Sequence, residues 1–374
     1  MIELVSELLK IDEEFLDELI SLGGEGIKRC YQCGSCTATC PLSEDGIIPL
    51  RKMIKYSQLG LKEKVLENLT PWTCYYCGEC SDTCPKDADP GEIMMALRRY
   101  LTTEYDWTGI SKRIYHSKTF EVMASLVLAL LTLGLIYLLH GPVVTDKVDL
   151  ETFSPVRTVE IGGHVILVVL SALVISNLYR MYKFTVGDSA KRVPLSRKLS
   201  EFFKTVPVHF LTQLRFRKCG NRIPWIKHLI LVSGYASAFI LFAILLRWTL
   251  TNEIYPITNP LRILGYYSSA ALIYVSLDGI IGRIRKRERM HLHSHSTDWM
   301  FLILLLLVGL TGLLVHLFKY LGMAMPTYLS YSIHLALVPP LLVLEVPFAK
   351  WAHIAYRPFA IYFQKLKELG EGGV

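Results

Sequence analysis

Eight cysteines fall in two runs of identical spacing, Cys30-x-x-Cys33-x-x-Cys36-x-x-x-Cys40-Pro41 and Cys74-x-x-Cys77-x-x-Cys80-x-x-x-Cys84-Pro85. Two-residue gaps let one loop wrap three corners of a [4Fe–4S] cubane while a more distant thiolate closes the fourth, and where two such runs occur in one chain the fourth cysteine serves the other cluster. Cys30, Cys33, Cys36 and Cys84 are therefore expected at one cluster, and Cys74, Cys77, Cys80 and Cys40 at the other. Two zinc sites are the competing reading, but zinc seldom uses a three-plus-one repeat. So regular a pattern also argues against a disulfide framework and for a reducing compartment. The ninth cysteine, Cys219, stands in a basic loop and reads as a thiol without a role.

Histidine is the second residue type that could do chemistry, because an imidazole inside a membrane span is costly and usually functional. His228 and His353 fall at one depth, at the inner ends of the third and sixth long apolar stretches. His334 lies near the outer end of the sixth, level with His316 of the fifth and His164 of the second. Two neutral imidazoles from different helices at one depth are what a bundle needs to hold a haem. An inner pair and an outer layer, with either His316 or His164 opposite His334, would form two such sites. On an ideal helix the 19 residues separating His334 from His353 turn them roughly 100° apart, so Pro339, Pro340 and Pro347 must kink the segment to restore a common face. Glu345 and Asp278 are intramembrane acids. Glu345 is a candidate proton acceptor, and Asp278 reads as an interfacial partner of Arg283. The run His291-Leu292-His293-Ser294-His295 reads as a solvated, lipid-facing loop rather than a metal site.

The elements that would position these residues follow from the apolar pattern. Residues 1–118 are mixed and charged. Beyond them come six apolar stretches of about 20 residues, the length of a membrane-crossing helix, near 119–140, 161–182, 226–248, 261–283, 298–320 and 328–353. The formal charge of +7 sits mostly in two loops: Lys183 to Lys227 carries 11 Lys/Arg against two acids, and Arg283 to Arg289 is again basic. Positive loops stay inside, which puts the cysteine runs and the C-terminus on the cytoplasmic side of the cell membrane and gives nucleic-acid binding little support. The opening Met-Ile-Glu-Leu-Val-Ser-Glu has no basic n-region and no apolar core of a secretory leader. Leu195–Phe216 reads as a helix in the inner interface, while Leu50–Leu66 and Asp89–Tyr105 read as helices flanking the second cysteine run. The expected domains are 1–115, 116–360 and a tail at 361–374.

With these residues in view, Arg29–Leu101 resembles the C subunit of heterodisulfide reductases. Residues from about 158 to 365 look like the gamma subunit of respiratory nitrate reductases, a di-haem cytochrome b, most clearly where His334 is followed by Pro347-Phe348-Ala349-Lys350-Trp351-Ala352-His353. A fusion of the two looks like the C subunits of quinone-interacting membrane-bound oxidoreductases. The resemblance implies a mainly α chain: a helical two-cluster ferredoxin domain, then a six-helix transmembrane cytochrome b bundle. It also implies two [4Fe–4S] clusters, b haem in two copies, a quinone as substrate, and cytoplasmic flavin/iron–sulfur partners resembling heterodisulfide reductase A. Two departures stand out. Ala238 occupies the position where the gamma-subunit pattern has its outer third-span histidine, and the cysteine-rich repeats of the disulfide-reducing subunit are absent. The expectation is quinol oxidation in the membrane half and electron transfer through b haems and clusters to soluble subunits. A docking anchor and the reverse flow are the alternatives.

Overall fold

The computed structural model describes residues 10–43 and 49–371. The leader reading at residues 1–7 and the last three residues of the tail lie outside them. Among the described residues the chain is helical, with no strand. Six helices are long and apolar enough to cross a membrane: Lys118–Leu139, Val156–Thr185, Ile223–Ala243, Pro260–Ile284, Ser296–Tyr320 and Ala324–Phe348. Their outward faces carry large exposed apolar residues such as Leu130, Leu138, Val168 and Ile244, the surface a lipid-facing helix presents.

The third, fourth, fifth and sixth spans pack in sequence order, and the first span closes on the sixth. The second packs on the end of the sixth, Glu345–Phe348, and on the helix that opens at His353. Small residues set the close approaches: a Cβ on Gly234 of the third span would lie 2.8 Å from Ala271 of the fourth, the kind of contact that lets helix backbones come together without bulky side chains between them.

The sixth span ends earlier than its apolar run. A π-helical turn, Pro340–Leu344, begins at the second proline of the pair, the chain breaks at Ala349 with φ −130° and ψ −141°, and His353 opens a new helix, His353–Glu371. The π turn and the break interrupt the regular helix between His334 and His353. The last helix runs through residue 360, burying Ile361, Phe363 and Leu366. It packs along the helix Leu195–Thr212, which ends before the expected Phe216 because a 3₁₀ turn, Leu214–Lys218, follows it.

Around the cysteines, Pro90–Tyr105 is the central helix, with nearly every residue buried. The stretch 50–66 is two helices, Leu50–Gln58 and Lys62–Leu66, separated at Gly60, whose φ is +66°. One hydrophobic core takes in Trp72, Leu97 and Tyr105 of this module together with Leu178, Met181, Ala352 and Tyr356 of the membrane half. The module is thus built onto the end of the bundle that carries His353 rather than tethered to it.

Candidate iron–sulfur and histidine sites

The two cysteine runs repeat in three dimensions. Gln32 and Tyr76, each just before the second cysteine of its run, have φ of +66° and +56°. Gly34 and Gly78, each just after it, have φ of +91° and +93°, a conformation glycine adopts without steric cost. The glycines start two short helices, Ser35–Thr39 and Glu79–Asp82, which pack on each other. The backbone N–H of Tyr76, two residues ahead, donates to Cys74 Sγ at 3.4 Å, and the backbone N–H groups of Gln32, Ser35 and Glu79 stand in the same relation to Cys30, Cys33 and Cys77. Ala88 N–H donates to Cys84 Sγ at 3.4 Å.

The side chains gather in the exchanged sets. Cys84 and Cys33 are the charge neighbours of Cys30, and Cys30 and Cys33 those of Cys36. Cys77 neighbours Cys40, and both neighbour Cys74. Cys40, Cys74, Cys77 and Cys80 line one small cavity. Cys80 also feels Cys36, which marks where the two sets approach. No three His, Cys, Asp or Glu side chains among the described residues converge closely enough for a single ion, and four thiolates spread around a cavity suit the corners of a cubane.

A second observation bears on the fit. Arg98 and Arg357 are 9% and 5% exposed, and no carboxylate pairs with either among the described residues. Arg98 donates to the carbonyls of Pro71, at 2.6 Å, and Cys74. Arg357 donates to Trp72 O at 3.3 Å and Cys74 O at 3.4 Å, and its guanidinium lies 4.4 Å from the Tyr75 ring. Burial, and then the neighbouring Arg357, lowers Arg98 to about 9, while burial raises the thiols of Cys30, Cys36, Cys40, Cys74 and Cys80. Unpaired buried cations beside buried thiols are costly. An anionic iron–sulfur cluster on those thiolates resolves both deficits, so the residues fit the group.

Cys219 is not the bystander its loop implied. It is 2% exposed, lines the same cavity and shares a hydrogen bond with Cys77, and the next N–H, of Gly220, donates to Glu79 at 2.6 Å. No local spacing announced it.

The histidines divide. His228 and His353 face each other with ring centroids 6.3 Å apart, close to the roughly 6 Å expected of two imidazoles on opposite sides of one metal with bonds of about 2.0 Å. His353 Nδ1 is 2.7 Å from Lys350 O, which fixes that nitrogen as N–H and leaves Nε2 for a ligand. His228 Nδ1 is buried without a partner. In the outer layer His334 Nδ1 is 3.0 Å from Thr311 Oγ1. His316 packs on Tyr266 and Tyr320 at 4.9 and 4.4 Å, and His164 is exposed with Nδ1 on Glu160 O at 2.7 Å. Among the described residues no ring contact joins His334 to either.

Glu345 is 1% exposed and accepts from Lys350 N–H at 3.1 Å. Asp278 pairs with Lys227 at 2.7 Å and Arg287 at 2.9 Å rather than with Arg283. The His291–His295 loop is not lipid-facing. His291 is buried, His293 Nε2 lies 2.6 Å from Asp89, and His295 Nε2 lies 3.0 Å from Tyr115 O. Local alternation could not show this, because the partners belong to the cysteine module.

Comparison with known proteins bears on the cysteine module. Residues 29–88 match the 4Fe-4S dicluster domain. The chain is 36% identical over 100 residues to a protein of Archaeoglobus profundus described as like the C subunit of heterodisulfide reductase, covering 26% of this chain and 53% of that one. It is 36% identical over 102 residues to a C-type iron-sulfur subunit, the second of its kind, of the CoB–CoM heterodisulfide reductase of Methanocaldococcus jannaschii, covering 25% and 54%. With the C subunit of the H(2):CoB-CoM heterodisulfide,ferredoxin reductase of Methanothermobacter marburgensis it shares 34% identity over 62 residues, 17% and 34% of the two chains. The chain thus spans between a third and about half the length of these curated relatives. No solved structure matches it. What these findings support is a chain whose N-terminal domain is like the C subunits of heterodisulfide reductases and suits two [4Fe–4S] clusters and electron transfer, joined to six helices long and apolar enough to cross a membrane.

Proposed function

We propose that the chain is the membrane subunit of an oxidoreductase that moves electrons between a quinone pool and soluble redox subunits. Quinol is oxidised in the bundle, in a sulfate-reduction type of pathway. When bound, b haem and the two clusters supply one-electron exchange, and the chain's residues set their order. His228 and His353 hold the inner haem, and His334 with His316 or His164 the outer one. Cys40, Cys74, Cys77 and Cys80 hold the cluster nearer the membrane, and Cys30, Cys33, Cys36 and Cys84 the one nearer the soluble partners, flavin/iron–sulfur subunits like heterodisulfide reductase A. Glu345 accepts a quinol proton. The cysteine module faces the cytoplasm, as the basic inner loops favour.

The observation that carries this reading is the packing between the inner histidine pair and the cysteine loop. Phe216 lies 6.3 Å from the His228 ring on one side and stacks on Tyr75, between Cys74 and Cys77, at 5.1 Å on the other. Arg357, one turn after His353, reaches the Cys74 carbonyl. A membrane half serving only as an anchor would have no need of a pair of buried imidazoles packed against a cluster loop. At the far end Cys33 is exposed and Tyr31 is 55% exposed, a surface open to a docking partner.

The test is a reduced-minus-oxidised spectrum of the purified full chain, followed by addition of a short-chain quinol. A b-type signal, with reduction of the clusters that depends on His228 and His353, is the expected result. Its absence reduces the bundle to an anchor. A redox titration of each centre gives the direction, since the reverse flow uses the same residues.

A further inference from the structure

The inner end of the bundle holds a group of buried charges outside the electron path. Asp298, at the start of the fifth span, is 3% exposed and pairs with Lys350 at 2.5 Å and Arg99 at 3.7 Å. Arg99 also pairs with Glu92 at 2.7 Å, and the other oxygen of Glu92 accepts from the Tyr76 hydroxyl at 2.7 Å. Arg283 acts on both Asp298 and Lys350. Beside them lie two further carboxyl groups, each 1% exposed: Glu345 of the sixth span and Glu121 of the first, whose charge acts on Glu345 while Asp298 acts on both. Glu345 has the Lys350 N–H. Among the described residues neither oxygen of Glu121 has a hydrogen-bond partner, the Ser296 hydroxyl facing it without reaching bonding geometry. Tyr235 of the third span, beside Glu345, also has a buried hydroxyl without a partner.

Lys350, Arg99 and Arg283 therefore face Asp298, Glu92, Glu345 and Glu121, three cations against four carboxyl groups. Other nearby groups do not close the gap. Lys118, near Glu121, is exposed to screening. His295, near Asp298, is held neutral by burial and then by Arg99, its pKa lowered to about 4. Tyr115, the remaining neighbour of Glu345, is a buried phenol. A buried carboxylate without compensation takes up a proton, and two that share a site do not both ionise.

We propose that Glu121 and Glu345 form a carboxyl–carboxylate pair holding one proton between them, a proton-binding site at the inner end of the bundle to which the first span contributes half. On the quinol reading above this pair is the proton acceptor. The charge argument itself does not use that reading.

The test is infrared spectroscopy of the full chain in lipid nanodiscs, with carboxyl-labelled glutamate to separate its bands from those of aspartate. Near neutral pH the wild-type chain should show one protonated glutamate carboxyl that shifts in heavy water. The band should vanish in both Glu121→Gln and Glu345→Gln, because either substitution leaves three cations facing three carboxylates. No protonated glutamate in the wild type, or survival of the band in either variant, overturns the pair. The wild-type measurement needs no variant to fold, and the visible absorbance of the clusters reports whether the variants have. Quinol oxidation is read separately: normal turnover in both variants, with the band lost, overturns only the pair's role as the quinol's acceptor.

Discussion

Replacing Gly26 by alanine should empty one iron–sulfur site and spare the other. Gly26 lies in the 3₁₀ turn Glu25–Arg29, just ahead of Cys30, and is not among the glycines of positive φ, so its backbone accepts an alanine. The space does not. A Cβ there would stand 1.8 Å from the Ala88 carbonyl oxygen and 2.8 Å from its carbon, where ordinary contact begins at 3.4 Å. The two segments must separate by about 1.6 Å, and overpacking of this kind costs about 1–3 kcal/mol. The separation matters more than the energy. Ala88 holds Cys84 through its N–H, and Gly26 lies just before Cys30, so both sides of the clash end on cysteines assigned to the same cluster. Ligand positions tolerate only about 0.2–0.5 Å, several times less than the clash demands. Iron content should fall from about eight to about four per chain, and electron paramagnetic resonance of the reduced protein should keep one of two interacting signals. Gly134→Ala, whose Cβ would meet nothing within 4 Å, is the control and should load fully. Full iron and unchanged paired signals in Gly26→Ala would show that Cys30 and Cys84 do not share a cluster held in place by this contact.

Cys40→Ala should disturb the signal of the cluster on Cys74, Cys77 and Cys80, and Cys84→Ala that of the other; the opposite assignment would sink the exchange. His228→Ala or His353→Ala should each abolish one b-type signal while iron and sulfide stay constant, and a chain that keeps all its b-type absorbance disproves the inner pair. Cys219→Ala should leave iron content unchanged but lower the midpoint potential of one cluster, by the loss of one hydrogen bond to sulfur worth about 0.5–1.5 kcal/mol; equal potentials would return Cys219 to a packing role. His295 supplies the pH dependence. Its Nδ1 accepts from Thr297 N–H at the start of the fifth span, and burial, then Arg99, lowers its pKa to about 4 against about 6.5 in the unfolded chain. The unfolded state binds the extra proton between those values, so stability is full above about pH 6.5 and falls on acidification toward about pH 4, by at most about 3–4 kcal/mol. Thermal unfolding followed across that range should flatten in His295→Asn, and an unchanged slope would point to other groups.

What the amino-acid sequence determined by itself was whatever is written in local spacing. The two cysteine runs dictate repeated loops, with glycine at the two left-handed positions that follow Cys33 and Cys77, and six apolar runs dictate six helices long enough to cross a membrane. Backbone geometry and hydrophobic length act over a few neighbouring residues, so a reader of the chain can recover them. The Pro339–Pro340 pair even announced a distortion, although not that it would be a π turn, nor that the helix would break at Ala349 and leave His353 to open the next one. Tertiary structure alone decided the rest. Cys219 meets Cys77, Glu121 meets Glu345, Arg357 reaches the Cys74 carbonyl and His293 reaches Asp89 only because the module and the bundle share one core. Each of these pairs joins residues far apart in the chain, and nothing in the local sequence of either partner encodes the other. Their meeting is settled by how helices pack and by the cost of leaving a buried charge or polar atom unpaired, which only the folded arrangement reveals.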